Sequence, residues 1–291
     1  PGTIATRTAI PSDAPHEGRP SRVASHVASP LGSGAMTDMR LEHVLGEAFV
    51  ELHRELPRQG PGDDASTLRA LAMCGELPDE PEILDVGCGP GMQTVALAGA
   101  TDGVITAVDL HEPFLDQLRE SAAAAGVGER IATVSADMGA LPFVPASFDL
   151  IWCEGAMFII GIENALGSWR PLLRPGGYLV FSDLMWLVPD PPNEIHGFLS
   201  ELDPGLTTVA GNLARVEAAG YEVVGHFTLP DRSWWADYYD PLAERIPATR
   251  EKYADDEAAL ATLAQQADEM VMRRKYPDAY GYEFIVARVS P

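Results

Sequence analysis

Lysine is almost missing from this chain of 291 residues: only Lys252 and Lys275 occur, both in polar segments late in the sequence. No Gly-Lys-Ser/Thr triplet exists, which excludes a Walker-type phosphate loop. A lysine Schiff base would have to use one of those two residues and is not expected. Basic residues of both kinds number 20 against 43 acidic ones, a net charge of −23. With no Lys/Arg stripe to offset it, that charge repels phosphate backbones and anionic lipid surfaces, so no nucleic-acid or membrane partner is expected. Acidity itself speaks for solubility, not for function. Cysteine is also scarce. Cys74, Cys88 and Cys153 are far apart and form no C-x-x-C pair, which argues against a zinc site or disulfide framework and fits a reducing cytoplasm. The seven histidines show no i, i+4 pair, so no histidine metal site is expected, and nothing specific marks a magnesium site made from carboxylates. Glu154 and Asp183 interrupt the longest apolar runs, so nothing is read as spanning a bilayer.

What remains is a globular chain, 46% hydrophobic, able to bury a substantial core. Residues 1–35 are rich in Pro, Ser, Ala and Gly and lack both an apolar period and the core of a secretory signal. They read as a leader that is either disordered or foreign to the natural protein, with a natural start at Met36 or Met39. A helical period runs from Met39 to Leu56 and is stopped by Pro57. The turn-rich Arg58-Gln59-Gly60-Pro61-Gly62 follows, then a second helix over Ser66–Cys74. Residues 36–80 are therefore taken as an N-terminal helical cap segment.

After Pro81 the pattern alternates. Strands are expected at Glu82–Val86, Val104–Asp109, Ile131–Ser135, Phe148–Cys153, Tyr178–Asp183, Tyr221–Leu229 and Gly281–Val289. Helices fall between them over Met92–Ala98, Glu112–Ala125, Ile162–Leu173 and Val209–Ala219. Short strands alternating with helices predict an α/β fold: a seven-stranded, mostly parallel Rossmann-like sheet with its last strand antiparallel and helices on both faces. The core is expected over 81–229 and 281–291. Residues 230–280, helical from Pro241 to Met272, read as an inserted cap and acceptor region.

The strongest local signal is Ile83-Leu84-Asp85-Val86-Gly87-Cys88-Gly89-Pro90-Gly91, where a strand ends and a helix begins. Glycines there permit a tight turn and close approach of a ligand to the backbone. Met92 stands where the dinucleotide fingerprint G-x-G-x-x-G needs its last glycine, and Pro90 removes an amide from the loop, so a nicotinamide oxidoreductase is disfavoured. This D-x-G-x-G-x-G pattern resembles motif I of class I S-adenosylmethionine-dependent methyltransferases. The resemblance continues through Asp109 and Leu110, Ser135-Ala136-Asp137-Met138, Phe148-Asp149-Leu150-Ile151 and Leu172-Leu173-Arg174-Pro175-Gly176-Gly177. Flanking segments (Arg58 to Gly62, Ile151 to Ala156, Tyr280-Gly281-Tyr282) resemble a bacterial, small-molecule-type subgroup.

The resemblance implies S-adenosyl-L-methionine as cofactor, S-adenosyl-L-homocysteine as product and a small-molecule acceptor in the cytoplasm. It implies cofactor contacts from Gly87, Gly89 and Gly91, from Asp109 to the ribose hydroxyls, from Leu110 and Met138 beside the adenine, and from Asp137 to the adenine amino group. Asp85 is expected to orient loop amides, Cys88 to pack, and His111 to start a helix at the crevice rim. Glu154, ending the fourth strand, has three readings: a catalytic general base, a binder of the cofactor's ammonium, or a hydrogen-bond acceptor for loop amides. Phe158, Trp186, His196 (in a post-strand loop), Trp234 and Trp235 are candidates for the acceptor pocket, against the plainer reading that the aromatics pack a cap. An aminopropyltransferase-like enzyme and a non-catalytic S-adenosylmethionine-binding protein stay open as alternatives. A homodimer is compatible with all of this, and nothing in the sequence decides the assembly, the acceptor or the atom methylated.

Overall fold

The computed structural model of the chain describes residues 46–54 and 56–290. The expected leader, both candidate starts and the first part of the helix expected from Met39 lie outside them. Seven strands form one sheet: β1 (Glu82–Val86), β2 (Val104–Asp109), β3 (Ile131–Ser135), β4 (Phe148–Glu154), β5 (Leu173–Trp186), β6 (Tyr221–Thr228) and β7 (Tyr280–Val289). Their order is β3-β2-β1-β4-β5-β7-β6. The pairs among β1 to β5 are parallel, and β7 runs antiparallel to both β5 and β6. Strand order reverses beside β1, between β2 and β4, which opens a crevice at the carboxyl ends of the strands.

The helices are α1 (Glu47–His53), α2 (Asp64–Met73), α3 (Met92–Ala100), α4 (Glu112–Ala124), α5 (Ile162–Trp169), α6 (Asn193–Leu202), α7 (Val209–Ala218), α8 (Asp240–Lys252) and α9 (Glu257–Lys275). Alternate side chains of the strands serve opposite faces, as a two-residue period demands. Ile83, Ile105, Leu150 and Trp152 pack with Ala70 and Leu97 on one face. Leu84, Val86, Ile151 and Cys153 pack with Leu166, Trp169 and Val216 on the other. Both faces are covered, so the central strands tolerate near-continuous apolar sequence.

A third cluster lies above the carboxyl edge. It joins Leu52 of α1 to Trp186, Ile195 and Leu199, and to Trp234, Tyr239, Leu242 and Leu263 of the long β6–β7 connection. That connection begins with a helical turn at Arg232–Trp234 and a π-helical stretch at Trp235–Tyr239, then continues through α8 and α9. Arg273 of α9, only 3% exposed, secures the return to the sheet. Its Nη2 pairs with Asp231 Oδ1 at 2.8 Å, and its Nη1 donates to the Tyr280 carbonyl at 2.7 Å. No described helix is long and apolar enough to cross a membrane.

Several bounds differ from expectation: the helix expected over Ile162–Leu173 ends at Trp169, and β5 already begins at Leu173. Strand β5 runs on to Trp186, so Asp183 lies inside the strand and not at its end. Residues Asn193–Leu202 form a helix where a loop was expected, with Pro192 at the N-cap. Pro191 and Pro192 read as breakers in sequence, but proline is compatible with a helix start, where no intrahelical amide is needed.

Gly91, the N-cap of α3, has φ +84°, and a Cβ built on it would come 2.3 Å from Leu118 Cδ1 of α4. Gly126 has φ +73° with nothing within 4 Å of a built Cβ. Gly126→Ala should therefore cost about 1–2 kcal/mol of backbone strain. Gly91→Ala should cost about 2–5 kcal/mol, because overpacking against Leu118 adds to the strain. Urea denaturation of the two variants checks this; equal losses would show that the Leu118 contact is not what Gly91 serves.

Candidate functional site

The glycine loop sits where β1 meets the crevice. The amides of Gly87 and Cys88 both donate to the Val108 carbonyl, at 2.8 and 3.0 Å, which pins the loop to β2. A Cβ on Gly87 would strike Ala156 at 2.7 Å, so the turn after β4 presses against this loop. Gly89, with φ +53°, is different. A Cβ there would meet only Gln59 Cγ at 3.7 Å, which leaves room for a ligand against the backbone. Cys88 is buried with the α4 residues Leu115 and Leu118, a packing role.

Asp109 closes β2. Its Oδ2 accepts from the Gly89 amide and its Oδ1 from the His111 amide, both at 2.9 Å. Burial raises its pKa, and these backbone amides pull it back. The carboxylate is thus fixed in direction with lone pairs to spare. Leu110 beside it is 51% exposed, an apolar surface at the crevice rim. His111 is the N-cap of α4, its ring edge-on to Phe114. Asp137 is half-buried after β3, with Oδ1 accepting from the Gly139 amide at 2.8 Å, and Met138 is buried next to it.

Asp85 does not meet the loop amides. It is fully buried, and its Oδ2 accepts from Thr94 Oγ1 at 2.6 Å and from Gln93 Nε2 at 3.3 Å. Gln93 also donates to the Cys88 carbonyl at 2.8 Å, so Asp85 braces the loop indirectly, through the first turn of α3. Its Oδ1 has no hydrogen-bond partner. Burial, opposed by the Thr94 hydrogen bond and reinforced by the charges of Glu154 and Asp109, pushes its pKa up to about 7.

Glu154 is fully engaged. Its Oε2 accepts from Arg58 Nη1 at 2.9 Å, and its Oε1 accepts from Thr67 Oγ1 at 2.7 Å and Trp152 Nε1 at 2.9 Å. Both side chains of the Arg58–Glu154 pair are nearly inaccessible, and Arg58 Nη2 also reaches Asp64 Oδ1 at 3.0 Å. The sequence reading missed Arg58 and Thr67 as partners of Glu154.

A cavity of about 80 Å³ opens between Phe158, Asp183, Asp203 and α7. Of the five candidate acceptor residues, Phe158 lines it. Trp186, His196, Trp234 and Trp235 do not. His196 is an exposed helical residue stacked on Trp186, centroids 5.5 Å apart and planes 6° apart. Trp234 is buried under the Arg273 guanidinium, and Trp235 donates to Asp231 with Arg274 over its ring. These two indoles pack within the β6–β7 connection. Asp183 was missed as a site residue; its only signal was an acid inside an otherwise apolar strand. Among the described residues no cluster of His, Cys, Asp and Glu could hold a metal ion.

Two measurements follow from the buried charges. Arg58→Met leaves Glu154 buried without its cation and should cost about 3–5 kcal/mol, whereas Arg58→Met combined with Glu154→Gln should recover most of that loss. Additive losses in urea denaturation would mean the pair is not coupled. Asp85 binds its proton more tightly folded than unfolded, so between about pH 4 and 7 the native state holds the extra proton. Stability from this group is present below the unfolded pKa and is lost as pH rises to about 7. The slope reaches at most about 1.4 kcal/mol per pH unit. Asp85→Asn should flatten the pH–stability curve over that window; an unchanged curve would refute the assignment.

Residues 83–177 match a family model described as a methyltransferase domain. The 27-O-demethylrifamycin SV methyltransferase of Amycolatopsis mediterranei (strain S699) is 31% identical over 132 residues, 44% of this chain and 48% of the relative. The malonyl-[acyl-carrier protein] O-methyltransferase of Enterobacter lignolyticus (strain SCF1) is 30% identical over 178 residues, 56% of this chain and 64% of the relative. The chain spans about half the length of most of the curated relatives it matches. Among solved structures, a SAM-dependent methyltransferase from Geobacter sulfurreducens in complex with S-adenosyl-L-homocysteine superposes with a TM-score of 0.69 at 22% identity, covering 82% of this chain and 96% of that one. Residues 83–177 are thus similar to methyltransferase domains, and the seven-stranded sheet has the fold of S-adenosylmethionine-dependent methyltransferases.

Proposed function

We propose that the chain transfers a methyl group from S-adenosylmethionine to a small-molecule acceptor in a reducing cytoplasm. The observation that carries this is the Asp109 carboxylate, held by the Gly89 and His111 amides beside the open face of Gly89 and the exposed Leu110. The residues fit the cofactor. Asp109 would take the ribose hydroxyls, Leu110 and Met138 would flank the adenine, and Asp137 would accept from its amino group. Room at the Gly89 backbone suits a close ligand. When bound, the cofactor supplies a methyl group already activated by its sulfonium centre. The chain's own task is then to align the acceptor and exclude water. The two oxygens of Glu154 already serve three donors, which favours its reading as a hydrogen-bond acceptor that holds Arg58 and Thr67 over those as a base or an ammonium binder. Residues 230–280 act as a cap over the acceptor side. The names of the rifamycin and carrier-protein relatives support a small-molecule acceptor. Three free, buried cysteines suit a reducing compartment.

Titration calorimetry with S-adenosylhomocysteine tests the reading. Asp109→Asn should weaken binding by about 1.5–3 kcal/mol, roughly 10- to 100-fold, as charge-assisted hydrogen bonds are lost. Equal affinity of the variant and the wild type would remove Asp109 from the site.

A further inference from the structure

We propose that the cavity between β5 and α7 recognises the acceptor through a cationic amine, which donates to Asp183 Oδ2. This inference rests on the methyltransferase reading and names its acceptor class. Asp183 is 1% exposed and lines the cavity. Its Oδ1 accepts from the Leu184 amide at 2.8 Å, while its Oδ2 has no hydrogen-bond partner. An unpaired buried carboxylate oxygen is costly, so a donor from a ligand has much to gain there.

The charge around it decides what kind of donor. The charged residues lining the cavity are Glu163, Asp183, Asp203 and Arg215. Arg215, the one cation among these lining residues, is already engaged: its Nε pairs with Glu163 at 2.8 Å and its Nη1 donates to Asn212 Oδ1 at 3.0 Å. Asp203 Oδ1 is turned to the Gly205 amide, and no guanidinium or ammonium of the described residues pairs with Asp183. Burial, with the charge of Asp203 added against the Leu184 and Phe158 amides, pushes the Asp183 pKa up to about 7. With Arg215 paired to Glu163, the carboxyls of Asp183 and Asp203 face the cavity without a cation among its lining residues. A neutral hydroxyl would satisfy Oδ2 but leave the acids uncompensated; an ammonium does both.

Position supports the same use. Ser182, the residue before Asp183, is in register with Glu154 across β4–β5, and the Gly155 amide donates to the Ser182 carbonyl at 2.9 Å. The turn that begins there touches Gly87 through Ala156 and reaches the cavity through Phe158. One turn therefore contacts both the glycine loop, where the methyl group would be delivered, and the cavity. Its far wall is tied to β5 by the Trp186 amide, which donates to the Thr207 carbonyl at 2.9 Å. About 80 Å³ admits an amine head group of a few heavy atoms, with the half-exposed Phe158 as an apolar wall.

The test uses three probes with the same ring and chain: phenethylamine, 2-phenylethanol and 3-phenylpropionate, titrated by ligand-observed NMR against the full chain saturated with S-adenosylhomocysteine. The amine should bind roughly tenfold tighter than the alcohol or better, and the carboxylate most weakly, as expected for a hydrogen bond to a charged group. Asp183→Asn should abolish that preference while leaving S-adenosylhomocysteine affinity unchanged. Asp203→Asn, at a less buried position, should reduce it and serves if Asp183→Asn does not fold. Equal binding of amine and alcohol to the wild type, or a preference that survives both substitutions, overturns the inference. Failure of the wild type to bind S-adenosylhomocysteine would instead overturn the methyltransferase reading.

Discussion

The buried pair of Arg58 and Glu154 holds the site together, because it fixes the N-terminal turn against the sheet at the crevice. Glu154 ends β4 in the middle of the sheet, and Arg58 lies in the turn before α2, 96 residues earlier. The rest of that turn is tied in both directions. Gln59 donates to the His53 carbonyl and leans over Gly89. The Gly62 amide donates to the Ser233 carbonyl at 3.0 Å, and the Ser233 hydroxyl donates to Asp63. The sheet edge and the N-terminal segment meet at this ion pair, and the β6–β7 connection joins them through Gly62 and Asp63. Two nearly inaccessible charges are worth little as net stability, but removing one of them is expensive. The pair thus makes the position of the strap above the glycine loop an all-or-none matter.

The same edge is poor in positive charge. Asp109, Asp85, Glu154 and Asp183 come from four successive strands across the sheet centre, β2, β1, β4 and β5, and among them only Glu154 has a guanidinium partner within the described residues. Parallel strands with their ends at one edge bring these acids together, since each stands near the carboxyl end of its strand. Burial raises Asp85, Asp109 and Asp183 alike. Such an edge favours ligands that carry cations or dense hydrogen-bond donors and disfavours phosphates. The chain's net charge of −23 is in keeping with this, although the local arrangement and not the total sets the preference.

The parts of the fold legible in sequence were those written in local pattern. Strands β1, β2 and β3 stand where apolar runs between Gly, Pro and Asp placed them, because buried parallel strands need short unbroken apolar stretches. The glycine loop was legible for a related reason: three glycines with positive φ mark a backbone that other residues resist. Helix α6 was hidden by Pro191 and Pro192, even though Ile195, Phe198, Leu199 and Leu202 keep a helical spacing. The cavity was hidden more thoroughly. Its lining comes from the turn after β4, from β5, from the end of α6 and from α7, and no local pattern announces that these segments share a void.

Glu154 and Asp183 show where local reading stops. Each is an acid breaking an apolar run, Glu154 at the end of β4 and Asp183 inside the neighbouring β5, and sequence offered a catalytic reading for the first alone. What separates them is the inventory of distant donors. Glu154 draws Arg58 and Thr67 from 96 and 87 residues away, together with Trp152 on its own strand. Asp183 accepts from the amide of the next residue at Oδ1, draws no side-chain donor among the described residues, and leaves Oδ2 without a hydrogen-bond partner. A carboxylate already serving three donors has little capacity left for a ligand. A carboxylate with a bare oxygen in a cavity has capacity and a reason to use it, because desolvation without compensation costs more than any other arrangement open to that group. The division of labour at this edge therefore follows from hydrogen-bond satisfaction: Glu154 builds the site, and Asp183 faces what enters it.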